Sequence, residues 1–216
     1  MFDRLKAEID SIMERDPAAR SRAEVYFLYS GFKAVRAYRR SHWFYRHNMK
    51  FIARMISQHA RHRTGIEIHP GAKIGKGLFI DHGMGVVIGE TTEIGDNCTI
   101  YQNVTLGGTG KENGKRHPTL GNNVLIGSGA KVLGPFTIGD NARIAAGAVV
   151  LEEANATAVG VPARVVRVNG VKVGALDQIH YGDPVAQEIC RMQYQLTKLQ
   201  AQMEALEQSL EAQKEQ

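Results

Sequence analysis

Two cysteines in 216 residues are too few for a disulfide framework or a thiolate metal cluster, so Cys98 and Cys190 predict a reducing compartment, the cytoplasm. No run of eighteen apolar residues exists, and the opening MFDRLKAEID is charged, which argues against a transmembrane helix and a secretory signal. Aromatic residues make up only 7%, yet hydrophobic residues reach 43%, enough for the core of a soluble domain. Acidic residues are scarce at the start. Residues 1–64 hold fourteen Lys and Arg against six Asp and Glu, a surplus of eight within a net charge of +5. The arginines are scattered through an apolar pattern rather than blocked, so a solvated helix face is expected, with no nucleic-acid or membrane partner.

Proline is also missing from EVYFLYSGFKAVRAYRRSHWFYRHNMKFIARMISQHARH, where apolar residues recur at mixed spacings of three and four. That pattern predicts a helical N-terminal domain over residues 1–64. Asp16 fits an N-cap with Pro17 at the first helical position. From residue 65 to 165 the pattern changes to a period of six. Ile68, Ile74, Ile80 and Val86 begin it. After a shift of two come Ile88, Ile94, Ile100 and Leu106, and after an excursion over 107–119 come Leu120, Ile126, Val132, Ile138, Ile144 and Val150. Glycine often follows, at Gly75, Gly89, Gly95, Gly121, Gly127 and Gly139, as turns tolerant of positive φ would require. A six-residue period of this length predicts a parallel β-helix with stacked aliphatic rows.

Residues 166–183 read as a linker, and 184–216 as a different object. Ile189, Met192, Leu196, Leu199, Met203, Leu206 and Leu210 form an a/d seam of about three heptads. Its flanking e and g positions contain Glu188 and Glu207 but no Lys or Arg, so charge pairing cannot choose a partner. The competing expectation is an amphipathic helix packed on its own chain.

One polar pair interrupts the repeat: Asp81-His82, in IDHGMGVVIGET, where coil filler is expected. That motif, followed by NVTLGGTG, KRHP and GVPARVV in this order, resembles the serine O-acetyltransferase family over most of the chain. The resemblance implies an α+β architecture: a left-handed parallel β-helix behind N-terminal helices, with the C-terminal coiled-coil helix added here. It implies transfer of acetyl from acetyl-CoA to the hydroxyl of L-serine in cysteine biosynthesis, with no permanently bound cofactor and no metal. His82 matches the general base. Glu67, in IEIHP, stands where the family's supporting carboxylate is expected to be an aspartate. Asp16 and Asp81 match positions for the substrate ammonium, and Arg116 and His117 for its carboxylate. Gly107, Gly108, Thr109 and Gly110, continued by Ser128, Gly129, Ala130 and Lys131, match the pantetheine groove, with Lys131 and Arg164 near the CoA phosphates. A homotrimer through the β-helix and the coiled coil is implied. The family's usual complex with O-acetylserine sulfhydrylase uses a C-terminal isoleucine. The sequence here ends at Gln216, so no tight complex is expected.

The main alternative is a hexapeptide acetyltransferase acting on a sugar or another small hydroxyl acceptor. Paired charges at Asp16, Asp81 and Arg116 favour an amino acid instead. A metal hydratase on the same scaffold would need H-x4-H inside the repeat, and that spacing occurs only at His42 and His47, in the helical region. A non-enzymatic scaffold held by the coiled coil is the remaining alternative.

Overall fold

The computed structural model describes residues 2–108, 113–151, 157–161 and 163–166, together with Met192, Gln195, Leu196, Lys198, Leu199, Gln202 and Met203. Thr109, Gly110 and the expected linker beyond Val166, which instead ends a strand, therefore lie outside the described residues, as does most of the expected coiled coil. Residues 1–178 form one compact unit and residues 179–216 a second.

Four helices open the first unit: α1 (Phe2–Arg15), α2 (Arg22–Leu28), α3 (Ser30–Arg46) and α4 (Lys50–Thr64). No helix starts at Pro17. Asp16 instead forms a turn, its Oδ1 accepting the Ala18 N–H at 2.8 Å, and the N-cap of α2 is Ser21, which accepts from the Glu24 N–H. The expected cap at Asp16 is thus corrected, which frees that carboxylate for another use. Helix α4 ends at Gly65 in the left-handed region, φ 71°.

Short strands then wind in a fixed order. β1 (Glu67–Ile68), β2 (Lys73–Ile74) and β3 (Phe79–Ile80) make the first coil, one strand per side. β4 (Val87–Ile88), β5 (Glu93–Ile94) and β6 (Thr99–Ile100) make the second. The third is β7 (Thr105–Gly107), β8 (Thr119–Leu120) and β9 (Leu125–Ile126), with the excursion between β7 and β8. β10 (Lys131–Leu133), β11 (Thr137–Ile138) and β12 (Arg143–Ile144) follow, then β13 (Val149–Val150), β14 (Thr157–Val159) and β15 (Arg164–Val166). Three parallel sheets result: β1-β4-β7-β10-β13, β2-β5-β8-β11 and β3-β6-β9-β12-β14, the last closed by an antiparallel β15.

Every aliphatic residue of the six-residue pattern is buried. Register corrects the place of one of them. Ile88, not Val86, pairs with Ile68 and Leu106, so the step from Ile80 to the next inward strand residue is eight rather than six. The two additional residues lie in the turn 81–86, which carries Asp81-His82. None of the six glycines expected to supply positive φ, Gly75, Gly89, Gly95, Gly121, Gly127 and Gly139, has it. That role falls to residues such as Asn97, Asn103 and Asn123. Gly75 and Gly95 are small for a different reason: a Cβ there would come within 2.7 and 2.5 Å of the carbonyl oxygen of the next coil. Helices and coils share one core, with Ala34, Val35 and Tyr38 of α3 packed into the aliphatic cluster. Gly31 permits this approach, since a Cβ on it would meet the Ile80 carbonyl oxygen at 2.0 Å.

Candidate active site

The turn 81–86 bulges because two residues must be accommodated without losing the stacking of β3 on β6 and β4 on β7. His82 and Gly83 absorb the excess in the left-handed region, φ 56° and 80°. A non-glycine residue with positive φ is uncommon, and such strain clusters at functional positions. It turns the His82 side chain outward, 73% exposed, while the Asp81 N–H stays bonded to the Ile100 carbonyl at 2.9 Å. Asp81 Oδ1 is 4.0 Å from His82 Nε2, beyond hydrogen-bond distance, so Asp81 does not orient the ring by a hydrogen bond.

A second carboxylate reaches this edge from the helices. Asp16 Oδ2 accepts a 2.6 Å hydrogen bond from the Tyr29 hydroxyl. Burial pushes the Asp81 carboxyl up, the Asp16 charge adds to the rise, and His82 offsets part of it. Tyr101, one coil beyond Asp81, is raised by burial and by both carboxylates. Two acids, a histidine and two phenols thus converge on one edge, where a cation would relieve the repulsion of the acids.

Arg116 and His117 lie elsewhere. The turn 81–86 joins β3 to β4, whereas the excursion leaves the turn after β7, on the edge shared with residues 89–92. The two edges bound the same sheet, on the order of 15 Å apart at about 3.3 Å per residue. Here Thr91 organises the pair. Its hydroxyl accepts the N–H groups of Arg116 and His117 at 3.0 and 3.1 Å, and its own proton goes to His117 Nδ1, 2.9 Å away. Nδ1 is therefore an acceptor and the ring proton sits on Nε2. Burial, then the nearby Arg116 charge, lowers the His117 pKa and keeps this neutral tautomer. The Arg116 guanidinium donates to Glu90 Oε2 at 2.5 Å, and Tyr45 donates to Glu90 Oε1 at 3.1 Å. Arg116 is a held cation, not a free one.

Glu67 is on β1, in the sheet between the two edges. Its carboxylate meets Arg61 at 3.3 Å and Arg54 at 3.9 Å, both from α4, and among the described residues no hydrogen bond or ion pair joins it to His82. Of the expected groove, Gly107 closes β7, and a Cβ on Gly108 would crowd the Arg116 carbonyl oxygen at 3.0 Å. Ser128 and Gly129 lie on the His82 edge, two coils beyond it, and Gly129 faces open space. Ala130 is fully buried, its N–H and carbonyl both used between and within coils. The Lys131 ammonium caps the carbonyls of Asn103 and Gly129 at 2.8 and 3.0 Å. Arg164 is in β15. Sequence reasoning missed Tyr29, Tyr101, Thr91 and Glu90. Only Thr91 and Glu90 carried a signal, as polar residues of the GET stretch next to the motif.

Three short strands per coil on a six-residue period define the class, a hexapeptide-repeat transferase, and residues 117–152 match the bacterial transferase hexapeptide family (six repeats). The chain is 52% identical over 208 residues to the serine acetyltransferase of Synechococcus elongatus, covering 95% of this chain and 85% of that relative. It is 53% identical over 206 residues to that of Bacillus subtilis, covering 94% and 95%. Among solved structures it resembles the serine acetyltransferase of Neisseria gonorrhoeae, with TM-score 0.73, 41% identity, and coverage of 75% of this chain and 66% of that one. It also resembles soybean serine acetyltransferase complexed with serine, with TM-score 0.74, 44% identity, and coverage of 76% and 68%. The chain belongs to the serine acetyltransferase family, and its coils are those of a left-handed parallel β-helix.

Proposed function

We propose that this chain transfers acetyl from acetyl-CoA to the hydroxyl of L-serine, with His82 as the base. The observation that carries the reading is the pairing of Asp16 and Asp81 beside an exposed His82. Two carboxylates suit the substrate ammonium, and a base at their side meets the hydroxyl of the same small molecule. His82 takes the hydroxyl proton as the serine oxygen attacks the thioester carbonyl. The tetrahedral adduct collapses, the C–S bond breaks, and the imidazolium returns the proton to the CoA sulfur. Such general-base assistance contributes about 10²–10⁴ in rate.

Arg116 and His117 supply the donors for the serine carboxylate: a guanidinium fork and a neutral Nε2–H. Ammonium and carboxylate flank one carbon atom, so the two edges must meet over one substrate. A second copy set edge to edge achieves this, and a closed trimer makes three such clefts. Glu67, committed to α4 within its own chain, reaches His82 only across that cleft. Gly107, Gly108, Ser128 and Gly129 line it for the pantetheine arm. The exposure of Met192, Leu196, Leu199 and Met203, each more than half accessible, supports the coiled-coil reading of the tail.

Thioester cleavage with serine, compared against sugars and buffer alone, tests the reading. Serine-dependent release of CoA is expected. Equal rates with a sugar acceptor would return the alternative, an acetyltransferase for another hydroxyl.

A further inference from the structure

Asp16 differs from the other carboxylate of the ammonium pocket in coming from outside the coils, so the β-helix register cannot place it. Its neighbour Arg15 does. Arg15 Nη2 donates to the Gly77 carbonyl at 2.6 Å and to Ser11 Oγ at 2.8 Å. Nη1 donates to the carbonyls of Asn97 and Cys98, each at 3.3 Å, and to Thr99 Oγ1 at 3.2 Å. One guanidinium therefore ties the end of α1 to two successive coils, and it also lies over the Phe79 ring, 5.3 Å from the centroid. A planar fork can satisfy so many acceptors at once; an ammonium cannot.

The carboxylate itself is fixed at both oxygens. Ala18 N–H occupies Oδ1 at 2.8 Å and the Tyr29 hydroxyl occupies Oδ2 at 2.6 Å. Tyr29 is the residue between α2 and α3, so this hydrogen bond spans the turn that carries Asp16. Burial and the neighbouring Asp16 charge push the Tyr29 phenol well above its ordinary range, so it remains a donor at any working pH. A carboxylate with one donor per oxygen keeps lone pairs for a ligand while losing its freedom to rotate.

We propose that Arg15 and Tyr29 are positioning residues for the amino group of the substrate: Arg15 pins the turn after α1 to the coils, and Tyr29 sets the Asp16 carboxylate so that it and Asp81 address the same ammonium. This rests on the reading of Asp16 and Asp81 given above. It assigns to the helical segment a share in substrate selection, through two residues that need not touch the substrate.

Steady-state kinetics with each substrate varied in turn make the test. Tyr29→Phe keeps the ring and removes the hydroxyl. The expected result is a rise in serine KM of about tenfold, the scale of a lost hydrogen bond to a charged group, with acetyl-CoA KM and kcat at saturating serine nearly unchanged. Arg15→Lys should show the same split with a small loss of thermal stability. A purely structural role would raise both KM values together or lower the melting temperature without touching serine selectivity. Asp16→Asn and the double variant Asp16→Asn/Tyr29→Phe complete a cycle. If Tyr29 acts through Asp16, the double variant is no worse than Asp16→Asn. Additive losses, or an unchanged serine KM in Tyr29→Phe, overturn the proposal. If Asp16→Asn itself leaves serine KM unchanged, the ammonium-pocket reading fails first; if only the Tyr29 variant is silent, that reading stands without this inference.

Discussion

Asp81 is held in a place that disfavours its own charge. Burial is the larger cause of its raised pKa and the Asp16 carboxylate adds to it. An acid whose pKa is raised by folding contributes stability only while protonated, below its ordinary value of 3.8, and loses that contribution as pH rises through the folded value. At neutral pH the ionised Asp81 therefore weakens the unliganded fold. Asp81→Asn should melt at a higher temperature than the parent at pH 7, the gain shrinking as pH falls through the raised pKa, while serine binding weakens. Calorimetric melting across pH checks this, and a lower melting temperature at pH 7 would contradict it. His82→Ala should lose about 10²–10⁴ in kcat and retain CoA binding, measured by titration. Glu67→Gln should cost less than His82→Ala, with equal losses placing Glu67 in the base's own role. His82 was legible in the sequence because it broke a pattern. Tyr29 and Tyr101 broke none; their roles come from where a hydroxyl points, and a string of residues does not carry that.

At the scale of elements, the six-residue repeat was legible because each side chain in it answers one demand, to fill a stacked row. The two-residue shift was visible too, but its location was not, since Val86 falls six after Ile80 and is as buried as a true row member. Register shows that the surplus lies in the turn 81–86. Deleting His82 and Gly83 together restores the period: Asp81-Met84-Gly85-Val86 would then copy Tyr101-Gln102-Asn103-Val104 of the next coil. That variant is expected to fold, with far-ultraviolet circular dichroism like the parent, and to lack turnover. A collapsed fold would mean that the bulge is structural. The contact of α3 with β3 is the opposite case, where nothing spare exists. Gly31→Ala places a methyl against the Ile80 carbonyl and should lower stability by about 1–3 kcal/mol by denaturant unfolding. An unchanged midpoint would show that the helix can shift at no cost.

Within the coiled unit, the proposed site residues fall on two edges of one sheet, β1-β4-β7-β10-β13. Sequence could name Asp16, Asp81, His82, Arg116 and His117 but not divide them, because the division follows from which turn each occupies in a three-sided coil. It also left the tail undecided between a partner helix and its own domain. Removal of residues 185–216 should weaken assembly in sedimentation while the coils stay folded, and salt should not weaken it, since the e and g flanks offer no attractive pairs. The most direct measurement mixes two inactive proteins. His82→Ala removes the proposed base and Arg116→Ala the proposed carboxylate fork. Unfolded together, refolded as a mixture and assayed with serine and acetyl-CoA, they should regain activity, because roughly a quarter of clefts in a randomly assorted ring pair an intact His82 edge with an intact Arg116 edge. A mixture no more active than its two parents would contradict a site shared between copies, and with it the proposed joining of the two edges over one serine.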